Sequence, residues 1–192
     1  RRGNCSYQDF QGGTGPASTM DYAARLTHWI PELKADDVVV FGAGTWDMRD
    51  STVEELVQDF ALLSPLLVEA SKLARVVYRT APAYSYKRGA YLVGREMRTN
   101  EKLMEANERV REMLPKEVAL WDSFSVTIPR FEESCDTHHF ICPGEPVENN
   151  RIGIADLSLF LSTVCDARNT MKVKRAPAPT ALEKEQEDAE DA

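Results

Sequence analysis

Three short apolar runs, each too short for a helix, lie along a chain whose other apolar residues recur at helical intervals. Val38-Val39-Val40-Phe41 is continuous, β-branched and closed by Gly42, which predicts a buried strand of a parallel sheet. Val76-Val77-Tyr78 and Val118–Trp121 read the same way. Between them the spacing turns helical. Tyr22, Leu26, Trp29, Ile30 and Leu33 mark a helix over Asp21–Lys34, with Thr19 or Asp21 as its cap. Ser51-Thr52-Val53-Glu54 reads as a capping box opening a helix to about Ala74, which Pro65 is expected to kink or break. Thr99 or Asn100 caps a charged amphipathic helix that runs to Leu114 and stops at Pro115. A last helix over Glu148–Val164 carries Ile152, Ile154, Leu157, Phe160, Leu161 and Val164 as its apolar stripe. Residues 83–95 read as a polar-aromatic loop and 122–146 as irregular. Residues 1–19 read as loop with a short strand near Cys5–Phe10.

Strands alternating with helices imply parallel pairing through crossover helices, hence an α/β domain with both faces of its sheet covered. The chain has 192 residues, 43% of them hydrophobic, enough for one core. Its net charge of −8 is uneven: residues 183–192 hold six acids and one lysine, so −5 of the charge lies in that tail. The expected division is a domain over residues 1–168 and a solvated acidic tail over 169–192. No basic stretch suits nucleic acid, and no apolar run approaches the roughly 18 residues of a membrane helix. The opening Arg1-Arg2-Gly3, without Met or an apolar leader, reads as the start of a fragment. The sequon Asn4-Cys5-Ser6 is the one feature favouring a secretory or extracellular route.

In a parallel sheet, chemistry gathers where the strands end at their carboxyl side. Three loops leave those ends: Gly42-Ala43-Gly44-Thr45-Trp46-Asp47, then Arg79-Thr80-Ala81-Pro82, then a stretch containing Cys135-Asp136-Thr137-His138-His139-Phe140-Ile141-Cys142. Several of these residues also have plain structural readings. Gly42 and Gly44 permit a tight turn, Trp46 packs, Asp47 caps a turn, and Arg79 pairs with an acid. His28 belongs to a helix surface.

The three elements in this order resemble the SGNH/GDSL hydrolase superfamily, nearest to its PC-esterase-type acyl-esterases and acyltransferases. They are a strand ending in an N-x-G-x-x-D-like loop, a strand ending R-T-x-P, and D-x-x-H-F before the last helix. The resemblance spans about residues 20–165. It implies a three-layer α/β/α, flavodoxin-like fold whose first strand this chain lacks. It also implies an acyl-ester hydrolase or acyltransferase working on a carbohydrate through an acyl-serine, without a cofactor. His139 matches the histidine that activates the serine, and Asp136 the carboxylate that orients it. The pairing makes chemical sense, because a serine hydroxyl needs a neutral imidazole to take its proton. Gly42, Gly44, Trp46, Asp47 and Arg79 fall on the substrate and oxyanion side. Gly42 stands where the family has an oxyanion-donating Asn, a loss of about 3–4 kcal/mol of transition-state stabilisation. The G-D-S-like nucleophile turn does not occur here, so the nucleophile is expected upstream of Arg1.

Other readings stand beside this one. Cys135, His138, His139 and Cys142 spell C-x-x-H-H-x-x-C, whose thiolates and imidazoles suit zinc. Cys135 and Cys142 can instead form a disulfide clamping the loop, with Cys5–Cys165 as a second bridge. A non-catalytic module would bind glycans through Trp46, Tyr84 and Tyr86. Without the first strand, Val38–Phe41 is expected to form an open edge prone to association, leaving the chain alone inactive and marginally stable.

Overall fold

The computed structural model describes residues 23–24, 26–45, 47–85, 99–136 and 139–165. Among the described residues three strands form one parallel sheet: β1 (Val38–Gly42), β2 (Arg75–Arg79) and β3 (Ala119–Trp121), in that spatial order. The principal helices are α1 (Val53–Ser71), α2 (Asn100–Met113), the short α3 (Ser123–Thr127) and α4 (Arg151–Cys165). The α/β class read from the alternation is therefore present.

Register assigns the two faces. Val39 pairs with Val76, Phe41 with Tyr78, and Tyr78 with Leu120. Paired residues of parallel strands point the same way, so these five share one face. There the Tyr78 ring meets Phe60 of α1 edge-on, 5.4 Å between centroids, and α2 packs beside α1. Val38, Val40, Val77, Arg79 and Trp121 share the other face, where α4 brings Phe160 to 4.7 Å from Trp121. Val77 is fully buried, yet Val40 beside it is 46% exposed. The two-sided cover thus holds for β2 and β3 and fails at β1, whose outer face is open. Among the described residues β1 pairs with β2 alone.

Element boundaries differ from the sequence reading for local reasons. The capping box is Thr52 with Glu55, one residue later than Ser51 with Glu54. Thr52 Oγ1 accepts from the Glu55 amide at 3.1 Å and Glu55 answers with a bond from the Thr52 amide at 2.7 Å. Those bonds hold the Glu55 carboxyl below its ordinary pKa. Pro65 does not break α1, which runs to Ser71. The first helix ends earlier than read: residues 23–24 and 26–29 are helical, and Pro31 sits in a 3-10 turn, Ile30–Glu32. Residues 122–146 are not wholly irregular, since Asp122 caps α3 and a 3-10 stretch, Ile128–Glu133, follows. The last helix begins at Arg151, after a 3-10 turn over Val147–Asn150. Its expected stripe is half wrong. Ile154, Leu157 and Leu161 are exposed, while Gly153, Asp156 and Thr163 are buried. No described helix is long and apolar enough to cross a membrane.

Candidate active site

Asp136 and His139 are joined twice. His139 Nδ1 lies 2.6 Å from Asp136 Oδ2, and the His139 amide donates to Asp136 Oδ1 at 3.1 Å. The three-residue spacing makes this possible, because an Asp side chain reaches the backbone and ring of the third residue on when the chain turns between them. Nδ1–H donating to the carboxylate leaves Nε2 as the basic nitrogen, the tautomer a proton-accepting imidazole requires. The Cys135 amide donates across the turn to the His139 carbonyl at 2.7 Å, and Ser134 Oγ donates to the Asp136 carbonyl at 3.1 Å. Both side chains are substantially solvent-exposed, 60% for His139 and 47% for Asp136.

Cys135 and Cys142 form a disulfide, with Cα atoms 5.4 Å apart, around this turn. The bridge consumes both thiolates that the zinc reading needed. Cys165 is an exposed free thiol at the end of α4, so the second bridge to Cys5 is not made; Cys5 and His138 lie outside the described residues.

The start of α4 carries the turn to the strand ends. Asn150 Oδ1 accepts from the Cys142 amide at 2.5 Å, and its Nδ2 donates to the Pro146 carbonyl at 3.1 Å. One turn on, Gly153 lets the backbone of Phe140 lie against the helix: a β-carbon there would sit 2.4 Å from the Phe140 carbonyl oxygen. Three residues later Asp156, only 4% exposed, accepts from Trp121 Nε1 (2.7 Å), Ser123 Oγ (2.8 Å) and Arg79 Nη2 (2.7 Å). Trp121 ends β3 and Arg79 ends β2. Residues three apart on a helix share a face. The His139 turn is therefore fastened, through Gly153 and Asp156, at the carboxyl end of the sheet.

Arg79 is committed largely to this structural cluster. Its guanidinium stacks 4.5 Å over Trp121 and also donates to Ser123 Oγ at 3.1 Å. Its Nε is buried with no partner, and about a third of the side chain remains exposed.

The loop after β1 takes the turn its glycines suggested. Gly44 adopts φ +106°, a left-handed conformation that favours glycine, and its amide donates to Asp47 Oδ2 at 2.8 Å. Asp47 thus holds a local turn, opening one turn of helix, Asp47–Asp50. Lys102 Nζ closes the far end of that turn on the carbonyls of Met48 and Ser51, at 3.2 and 2.6 Å. Burial pulls its ammonium pKa below the ordinary lysine value. Beneath the loop, Tyr78 donates weakly to the Ala43 carbonyl at 3.5 Å. Burial, reinforced by the Asp47 charge, pushes the Tyr78 hydroxyl well above its usual pKa. Gly42 ends β1 without positive φ; a β-carbon there would stand 3.2 Å from the Arg79 carbonyl oxygen, a tight fit. Trp46 lies outside the described residues.

Tyr84 corrects the glycan-module reading: it is fully buried and offers no surface to a sugar; Tyr86 lies outside the described residues. The stretch after β2 is instead an extended, buried strap held by side chains. Asn107 receives the Ala81 amide and returns a bond to its carbonyl, both at 3.0 Å. Asn100 does the same for Tyr84, at 2.6 and 2.9 Å, and Thr127 Oγ1 accepts from Ala83 at 2.8 Å. The two asparagines stand seven residues apart, two turns of α2, and act as a surrogate strand.

No family model, curated protein or solved structure matches this chain.

Proposed function

We propose that this chain carries the general base of an acyl-serine enzyme, an O-acyl ester hydrolase or acyltransferase of SGNH type acting on a carbohydrate. The observation that carries the reading is the Asp136–His139 pair, with Nδ1 on the carboxylate at 2.6 Å, fastened at the carboxyl end of a parallel sheet. In this reading His139 Nε2 takes the proton of a serine hydroxyl as it attacks the ester carbonyl, and returns it to the departing alkoxide. Asp136 holds the ring and stabilises the imidazolium between those steps. In this reading Gly42 and Gly44 stand on the oxyanion side, where a backbone amide other than that of Gly44 would do the work of the Asn the family has. The Gly44 amide is already bonded to Asp47, which leaves Asp47 to shape that side rather than bind substrate. Arg79, a third exposed, stands at the substrate side of β2.

In this reading the nucleophile is a serine other than Ser123, Ser125 and Ser134. The hydroxyls of Ser123, Ser125 and Ser134 are spent on Asp156, Asp122 and the Asp136 carbonyl. A serine-directed fluorophosphonate tests the reading on the intact protein. Labelling of one serine, abolished by His139→Ala and untouched by chelators, is expected. No labelling of folded protein rejects it.

A further inference from the structure

Asp136 and His139 both lie inside the ring closed by Cys135 and Cys142. The flank that bears His139 is anchored to α4 and to the turn before it: Phe140 and Ile141 lie on Gly153, and Cys142 is bonded to Asn150. Beyond the peptide chain itself, the covalent tie between that anchored flank and the flank bearing Asp136 is the disulfide. A hydrogen-bonded pair as exposed as this one contributes little to holding itself together. Its geometry draws on the ring together with the backbone bonds of the turn, Cys135 to His139 and His139 to Asp136. The hydrophobic cluster built on Tyr78, Phe60 and Leu67 includes, among the described residues, none from the ring, whose Phe140 is buried apart from that cluster, so the body has its own reasons to stay folded.

We propose that the Cys135–Cys142 disulfide is a redox lock on the Asp136–His139 pair: a dithiol reductant opens the ring, parts the pair and disables the site while the α/β body stays folded. The inference rests on the reading of the pair as a general base. One thiolate of the reductant attacks a ring sulfur, forming a mixed disulfide and expelling the other sulfur as thiolate. The reductant's second thiolate then displaces the first cysteine. Two electrons and two protons reach the protein, leaving two cysteine thiols, and the reductant departs as its cyclic disulfide. Both cysteines are partly solvent-exposed.

The test uses the 192-residue chain, ¹⁵N-labelled, with Cys5→Ser and Cys165→Ser to prevent scrambling. Amide hydrogen exchange and the His139 ring nitrogen shifts are read with and without dithiothreitol. On reduction the Cys135 and His139 amides should exchange about tenfold faster or more. The ring should lose its Nδ1–H preference, and the Val76–Tyr78 amides should keep their protection. Cys135→Ser with Cys142→Ser should reproduce this without reductant. An unchanged ring signal after thiol titration shows two free cysteines overturns the lock, because the turn then holds itself. Equal acceleration at Val76–Tyr78 also overturns it, because the bridge then supports the whole fold. The readout is the ring rather than turnover, so this outcome and the fluorophosphonate result are scored independently.

Discussion

Replacing Gly153 by alanine should dislodge the candidate base without touching it. The new β-carbon would stand 2.4 Å from the Phe140 carbonyl oxygen, 2.9 Å from its carbonyl carbon and 2.4 Å from Ile141 Cγ1. Ile141 can swing away, but the Phe140 backbone cannot, and a carbon–oxygen contact needs about 1 Å more room. Overpacking of this kind costs about 1–3 kcal/mol, and contact with backbone puts it at the upper end. Alanine regains up to about 1 kcal/mol of helix propensity at the same position. The net expectation is a loss of about 1–2 kcal/mol, seen as a fall of several degrees in Tm. The larger effect is on position: His139 immediately precedes Phe140, and a displacement of about 1 Å in a catalytic group can cost about 100-fold in rate. Urea denaturation measures the first effect and His139-dependent ester hydrolysis the second. Gly144→Ala is the control. It strains a φ of +81° but meets nothing within 4 Å, so it should lower stability without a comparable loss of rate. A Gly153→Ala protein at least as stable and active as the parent would refute the reasoning, since the turn would then not rest on α4.

Asp156→Ala leaves Trp121 Nε1, Ser123 Oγ and Arg79 facing a void, and should cost about 3 kcal/mol in urea, discounted because Arg79 is partly exposed. Asn107→Ala strips both partners from Ala81 inside the core and should cost about 1–3 kcal/mol by the same measurement, with Asn100→Ala acting likewise on Tyr84. Tyr78 keeps its proton in the fold at a pH where the unfolded chain releases it, so its contribution is complete below about pH 10 and is lost as pH rises above that value. Stability measured against pH should therefore fall on the alkaline side, and Tyr78→Phe should flatten that fall.

The strands and the Asp136–His139 contact were legible in the sequence because each is a local pattern. A continuous β-branched run ending in glycine has few structural alternatives, and an aspartate three residues before a histidine in a loop can reach it. Asp156 was not legible, although it interrupts the apolar stripe of α4 between Ile152 and Phe160. An acid there tells of a buried partner, but Arg79 is 77 residues away in sequence. Asn100 and Asn107 carried the same kind of signal, standing on the apolar face of α2 beside Leu103, Ala106 and Val110. Their partners are backbone groups of a strap whose composition reads as an exposed loop. The last helix misled because its apolar arc is wider than the face it buries, so periodicity alone could not say which edge meets the sheet. Gly153 was silent for a different reason, since a glycine's role here is the absence of a β-carbon.

The most direct test of the base-pair assignment is turnover of an O-acetyl ester by the intact protein carrying His139→Ala or His138→Ala. Losing a triad's base lowers turnover by about 10⁴–10⁶-fold, so His139→Ala should do this while His138→Ala stays within about tenfold of the parent. Equal losses in the two variants, or turnover that survives His139→Ala, would contradict the account.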